Sequence, residues 1–215
     1  MGTLNGAKGE CRYRWTVSTP IPLVSSRPWL STRQNTTVTA LLDAGIVEIR
    51  DHGYERVTIR GIAKRAGVTH TTAYSYFTSK EHLVSEIHWR QMRSLPTAQA
   101  FEGASLWERV QLAFDAATAV LAAEPEVSRG VLVAILGDDP EIRRVRELVG
   151  KELAHRLTTA LAPADDPELV ETLLIAYSGA TTVVGTGSQE YASVMRRLRT
   201  VVGQIDRTGD WKATQ

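Results

Sequence analysis

The sequence predicts an all-α protein, with an N-terminal three-helix helix-turn-helix domain and a larger C-terminal helical domain, about nine helices in total. Three observations predict it. Apolar residues recur at helical spacing from Val38 to Ile205. The breaks between these runs carry helix starts such as Thr58, Ser105 and Asp139-Pro140, and stops such as Gly67. From Ser105 onward there is no strand pattern, Gly-rich phosphate loop or nucleotide fingerprint. The expected boundaries are a basic arm over 1–35, a small domain over 36–83, a larger one over 84–208 and a tail over 209–215.

Residues 1–35 mix Gly, Ser, Thr and Pro with scattered Trp and Arg, show no sustained period, and read as a flexible arm. Lys8, Arg12, Arg14, Arg27 and Arg33 against Glu10 make it basic. Two readings fit: a tail along the minor groove or phosphates of a duplex, or a plain extension with a generic electrostatic contribution. The single cysteine, Cys11, falls in this arm, cannot form an intrachain disulfide, and reads as an incidental thiol. Next, Val38, Leu41, Leu42, Gly45, Ile46 and Ile49 form one helical stripe ending at Gly53-Tyr54.

Thr58 to Lys80 reads as two short helices joined by a tight turn. Thr58 caps the first, whose inward face is Ile59, Ile62, Ala63 and Ala66. Gly67 supplies the left-handed residue that stops it, and Val68 anchors the turn. Thr69 caps the second helix, which is too short and too polar outside Ala73 and Phe77 to be a core element. A helix in the major groove needs small or polar residues near its N-terminus for base edges and flanking donors for phosphates. His70, Thr71 and Thr72 suit the bases; Tyr74, Tyr76 and Lys80 suit the phosphates. With Thr58, Arg60 and Thr69 these are the candidate DNA contacts. The helical pattern alone also fits a plain hairpin inside an all-α protein.

From Val38 to about Val84 the chain resembles the DNA-binding domain of the TetR family of bacterial regulators. The resemblance rests on Gly53-Tyr54, Thr58-Ile59, Ile62-Ala63, Ala66-Gly67-Val68, Tyr74, Phe77, Ser79-Lys80 and Leu83. Gly61, Thr71 and Ala73 depart from the family pattern: Gly61 costs about 1 kcal/mol of local helix propensity, and Thr71 alters which bases can be read.

Downstream, Ser79 caps a helix with Glu81 in its first turn, carrying Leu83, Ile87, His88 and Met92 and ending near Pro96. The spacing of His82, Glu86 and His88 does not put three metal ligands on one face. Ser105-Leu106-Trp107-Glu108 is a capping box that starts a helix with Trp107, Val110, Phe114, Ala117 and Leu121 inward. Val127 to Leu136 is apolar on nearly every side, which predicts a short helix buried within its domain. Asp139-Pro140 opens an amphipathic helix to about Ala162, Asp166-Pro167 one to Gly187, and Ser188 caps the last.

The resemblance implies a homodimer formed by the last two helices, for which the candidate residues are Tyr177, Ala180, Thr181, Val184, Tyr191, Val194, Met195, Leu198 and Val201. It also implies a small-molecule effector held in the C-terminal domain. Candidates for the pocket wall are Trp89, Met92, Phe101, Trp107, Val110, Phe114, Leu132, Leu136 and Tyr177, which favour an apolar or aromatic ligand.

The charge distribution is asymmetric under a net charge of +1. Through Leu83 there are 11 Lys plus Arg against 6 Asp plus Glu, so the basic excess lies where a polyanion would bind. The absence of a long apolar run argues against a membrane span, and an interrupted N-terminus against a secretory signal, so the expected address is cytoplasmic. No catalytic constellation, cofactor motif or metal site stands out. The expectation is a ligand-responsive DNA-binding regulator, most simply a repressor released from a palindromic operator. An effector-independent DNA-binding dimer and a helical small-molecule-binding protein without DNA binding remain open beside it.

Overall fold

The computed structural model describes residues 26–27, 29–94, 103–163, 166–185 and 188–208. Among these, nine α-helices succeed one another: α1 (Thr32–His52), α2 (Ile59–Arg65), α3 (His70–Tyr76), α4 (Lys80–Ser94), α5 (Leu106–Ala123), α6 (Pro125–Ile135), α7 (Pro140–Leu161), α8 (Pro167–Gly185) and α9 (Tyr191–Thr208). A 3-10 turn, Tyr54–Arg56, links α1 to α2. No described helix is long and apolar enough to cross a membrane. Residues 1–25, which hold Cys11 and most of the basic arm, and the tail over 209–215 lie outside the described residues.

α1 begins earlier than the apolar stripe suggested. Ser31 and Gln34 form a reciprocal capping box that starts the helix at Thr32, so residues 32–35, read from the sequence as part of the arm, belong to α1. The first turn is polar and exposed, which hides it from a search for periodicity. α9 starts at Tyr191 rather than directly after Ser188, whose N–H bonds back to the Val183 carbonyl. The other caps fall where the sequence places them: Thr58, Thr69, Ser105 and Asp139 each accept from a backbone N–H of the following turn.

Two apolar cores divide the molecule. One joins α1, the 3-10 turn, α2, α3 and the start of α4 around Leu41, Ile49, Tyr54, Ile62, Ala73, Phe77 and Leu83. The other joins the end of α4 with α5, α7, α8 and α9 around Met92, Val110, Phe114, Leu157, Tyr177 and Leu198. α4 belongs to both and is buried on all sides from His82 to Arg90. Its buried charges have partners: Arg90 reaches Asp43 on α1 at 2.7 Å, and Glu86 meets Ser26 and Arg144.

α6 departs from the sequence reading. Its first half belongs to the DNA-binding side, where Val127 and Val131 enter the first core, and its end is open, with Val133 and Leu136 exposed. The domain boundary at 84 therefore does not separate the packing. A Cβ on Gly130 would stand 2.5 Å from Cδ2 of Tyr54, so the helix can approach that ring only as glycine. Arg50 of α1 fastens the same end of α6, its Nε donating to Glu124 at 2.8 Å.

Gly130→Ala is expected to lower stability by about 1–3 kcal/mol through overpacking against Tyr54. Truncating the ring in the double variant Gly130→Ala/Tyr54→Ala should remove most of that increment in a double-mutant cycle read by denaturant unfolding. Additive losses would mean that the two residues do not press on each other.

Candidate nucleic-acid interface

The hairpin is built so that one short helix is displayed. α2 docks through Ile59, Ile62 and Ala63, all buried, and Gly67 at φ 69° turns the chain in the left-handed region that glycine tolerates. α3 then touches the core through Ala73, with Phe77 just past its end. Thr69 Oγ1 accepts from Thr72 N–H at 3.1 Å and pairs with Thr72 Oγ1 at 2.8 Å, fixing the start of α3. Between these fastenings His70, Thr71, Tyr74 and Ser75 face solvent. His70 and Tyr74 meet edge to face at 6.3 Å across one turn.

The predicted DNA contacts separate by environment. Thr58, Arg60, Thr69, His70, Thr71 and Tyr74 are exposed, whereas Thr72 is half-buried with its hydroxyl engaged by Thr69. Tyr76 is half-buried and packs against the first core. Lys80 has partners that the sequence did not show: Nζ lies 4.4 Å from the centre of the Tyr54 ring and donates to the Tyr54 and Glu55 carbonyls at 3.2 and 3.4 Å. An ammonium has three donors, and two are used here. Arg65 is turned away to α1, where it pairs with Glu48 and Asp51.

The structure also adds residues to this face. Arg27, Trp29, Leu30 and Gln34, from the segment before α1 and its first turn, border a groove of about 490 Å³ together with Tyr74, Ser75, Tyr76 and Thr78. Sequence reading assigned this segment to the arm; the capping box at Ser31 was the signal that the chain is already ordered there.

Behind the groove, a polar network ties the segment to α4 and α7. The Ser26 N–H donates to Glu86 at 3.0 Å, and Arg144 donates to the Ser26 carbonyl at 2.9 Å and to Glu141 at 3.0 Å. The Arg27 guanidinium lies 3.0 Å from His82 Nε2 on one side of the ring, and the Thr78 N–H donates to Nδ1 at 3.3 Å on the other. The Thr78 hydroxyl lies 3.1 Å from the same Nδ1 and donates to Asp139 at 2.9 Å. Burial, and then the charge of Arg27, lower the His82 pKa to about 4. His88, one helical turn and a half further along α4, is also lowered to about 4, by burial alone.

The predicted pocket wall is brought together only in part. Trp89, Met92, Trp107, Val110, Phe114 and Tyr177 join one buried cluster, with Phe114 stacked on Tyr177 at 4.6 Å. Thr118 donates to the Phe114 carbonyl, so the Tyr177 hydroxyl donates to Thr118 at 3.0 Å, and burial raises the Tyr177 pKa to about 12. Leu132 is only half-buried, and Leu136, the C-cap of α6, is 83% exposed and belongs to no wall. Phe101 lies outside the described residues.

Most of the proposed dimer residues are also covered within the protomer. Tyr177, Ala180, Val194, Met195 and Leu198 are buried in the protomer's own second core, because α9 lays its apolar face on α5 and α8. Val184 is half-buried against the same core, and Thr181 bonds back to its own helix. Val201 is exposed, and the side chain of Tyr191 lies outside what the structure describes. What α8 leaves open is Ile175, 68% exposed, beside Ser178, Gly179 and Thr182.

Comparison with known proteins agrees with this geometry. The model of the family described as bacterial regulatory proteins, tetR family, matches residues 41–87. An HTH-type transcriptional regulator of Mycobacterium tuberculosis strain H37Rv is 35% identical over 175 residues, covering 80% of this chain and 82% of that relative. The HTH-type transcriptional repressor KstR of Rhodococcus jostii is 29% identical over 130 residues, covering 59% of this chain and 61% of its own. The crystal structure of a TetR transcriptional regulator from Rhodococcus sp. RHA1 superposes with a TM-score of 0.66 at 21% identity, covering 79% of this chain and 94% of that one.

Two outcomes follow. Both buried histidines are neutral in the folded chain but take up a proton in the unfolded chain below about pH 6.5, so stability falls as pH drops from about 6.5 towards 4. Chemical unfolding across that range should show the loss, and His82→Gln should flatten its slope. On DNA, Arg60→Ala should reduce the salt slope of binding by about 1 and weaken all duplexes alike, while His70→Ala and Thr71→Ala should change the preferred sequence. Lys80→Ala should lower the melting temperature as well as the salt slope, and an unchanged melting temperature would show that its hold on Tyr54 is idle.

Proposed function

Because the chain belongs to the tetR family of bacterial regulatory proteins, we propose that this DNA-binding transcriptional regulator is a cytoplasmic repressor, released from a palindromic operator when a small apolar or aromatic effector binds its C-terminal domain. The observation that carries this reading is the double membership of α6 and α4. α6 puts Val127 and Val131 into the core of the DNA-binding domain while packing on α5, α7 and α8. α4 runs through both cores. A change in packing among the C-terminal helices therefore moves the platform on which α3 is mounted. Repression agrees with the name of the KstR relative, and catalysis has no carrier among the groups described above.

A single α3 of seven residues reads too little sequence to find one site in a genome, and two heads set about 34 Å apart, or a multiple of it, read a palindrome. Homodimerisation supplies the second head. The open face of α8 suits it, since Ile175 is apolar and Gly179 has nothing within 4 Å of where a Cβ would be, so a partner helix can come close. The effector acts by preferring the spacing that does not match the operator.

The test is to select bound sequences from random duplexes and then screen compounds for release of the best one. Linkage fixes the result: a compound that weakens operator binding by some factor must bind the operator complex more weakly than the free protein by the same factor. Calorimetric titration with and without operator should give those equal factors. Identical ligand affinity in the two titrations would remove the effector from the mechanism.

A further inference from the structure

α4, α6 and α7 line a small, partly open cavity of about 10 Å³, space for about one water molecule, with apolar walls except for Ser85, His88 and Arg146. Ser85 Oγ is satisfied, donating to the Glu81 carbonyl at 2.9 Å. His88 is not. It is 8% exposed, and its Nδ1 has no hydrogen-bond partner among the described residues. Buried polar atoms are almost always paired, so an orphan beside a cavity points to a missing partner. Arg146 stands at the same cavity and donates through Nη1 to the carbonyls of Ile135 and, at 3.4 Å, of Gly137, which form the free end of α6. Both partners are neutral, and no carboxylate pairs with Arg146 among the described residues.

We propose that this cavity is the head-group end of the effector site and takes a carboxylate carried on a slender apolar body, held between His88 and Arg146. The regulatory consequence rests on the ligand-responsive reading above; the binding chemistry does not. A carboxylate accepts from the Nδ1–H tautomer of His88 and neutralises the guanidinium, while the apolar walls suit only an apolar remainder. A cationic ligand would meet Arg146, and a sugar would leave several hydroxyls without partners. The same step has a mechanical result. A guanidinium–carboxylate pair is stronger than a guanidinium–carbonyl bond, so the ligand draws Arg146 away from the last carbonyls of α6. The cavity must widen for the body of the ligand, and the released end of α6, with Val133 and Leu136 already in solvent, is the wall that can yield. The middle of the helix is seated against Tyr54 through Gly130, so the displacement is carried to the DNA-binding domain.

The experiment uses the full chain, labelled with ¹⁵N at histidine, and titrates it with straight-chain carboxylates from hexanoate to dodecanoate and with 4-phenylbutyrate, each beside its alcohol and methyl ester. Imidazole ¹⁵N spectra report the tautomer and hydrogen bonding of His88 directly. The acids should bind saturably and move the His88 Nδ1 resonance, and the alcohols and esters should bind at least about tenfold more weakly. Arg146→Gln should abolish that preference, and His88→Asn, which keeps a nitrogen near Nδ1, should retain more binding than His88→Leu. His88 resonances unmoved by every acid, as for a buried water only, would overturn the proposal, as would equal binding of acids and alcohols. If the acids bind at His88 and leave operator affinity unchanged, the site stands and the ligand-responsive reading falls. If another compound releases operator while His88 stays silent, the regulator stands and this site falls.

Discussion

The seating of Tyr54 is the constraint on which the relation between the two halves of the molecule depends. Its ring is buried in the core of the DNA-binding domain, with Gly130 of α6 on one side and the Lys80 ammonium on another, and its hydroxyl donates to Glu81 at 3.0 Å. Burial, and then that hydrogen bond, push the phenol pKa far above its ordinary range. Three elements thus converge on one side chain: the turn after α1 that bears it, the first turn of α4 through Lys80 and Glu81, and α6. An aromatic ring is rigid, with two torsions to fix, so groups that pack on opposite sides of it move together. Glycine at 130 removes the last side chain that could act as a cushion.

A second joint has the opposite chemistry. Where Tyr54 joins α6 to the reading domain by close packing, Ser26, Arg27, His82, Glu86 and Arg144 join the segment before α1 to α4 and α7 by charge and hydrogen bonds. Burying a carboxylate such as Glu86, 1% exposed, costs free energy that its partners must offset, and apolar replacements would often serve stability better. What a polar joint supplies is geometry: each bond has a length and a direction, and the network is satisfied in one arrangement of α4 against α7. Both joints lie on α4, one at each side of its first two turns. The helix is therefore held in register with the reading domain even though half of its length belongs to the other core.

Much of this was legible in the residues, and what was not has identifiable causes. The hairpin was clear because caps, Gly67 and the Ile59, Ile62, Ala63 face all agree, and such agreement across levels specifies a local fold. α1 was shortened because Thr32 to Thr37 is polar, and periodicity is silent on a face that touches only water. The reading of α6 as an interior helix failed for a different reason. An apolar sequence says that a helix is covered on several sides, but not by which partners, and here the coverage comes from the other domain on one side and is missing on another. The same limit applies to α9: its broad apolar face was offered to a partner subunit from pattern alone, and pattern does not show that the protomer's own α5 and α8 cover Val194, Met195 and Leu198. Lys80 was readable as a cation near the hairpin, but its hold on Tyr54 is a contact over 26 residues of sequence that no local pattern encodes.

Stiffness and softness are distributed in a way that suits a switch. α3 meets its platform through Ala73 and the half-buried Thr72 and Tyr76, with Phe77 beyond its end, so the reading helix follows α2 and the start of α4. The platform in turn is fixed to the first half of α6, where Arg50, Glu124, Val127 and Gly130 all engage the DNA-binding domain. The second half of α6 is held less firmly, by Arg146 on its last carbonyls and by apolar contact on one side only. Couplings between sites in regulatory proteins are commonly 1–3 kcal/mol, about the worth of one or two charged hydrogen bonds and a turn of packing. On the function proposed above, a helix clamped at one end and lightly tied at the other suits a coupling of that size, because the Arg146 tie lies outside both cores while the clamp is part of the first.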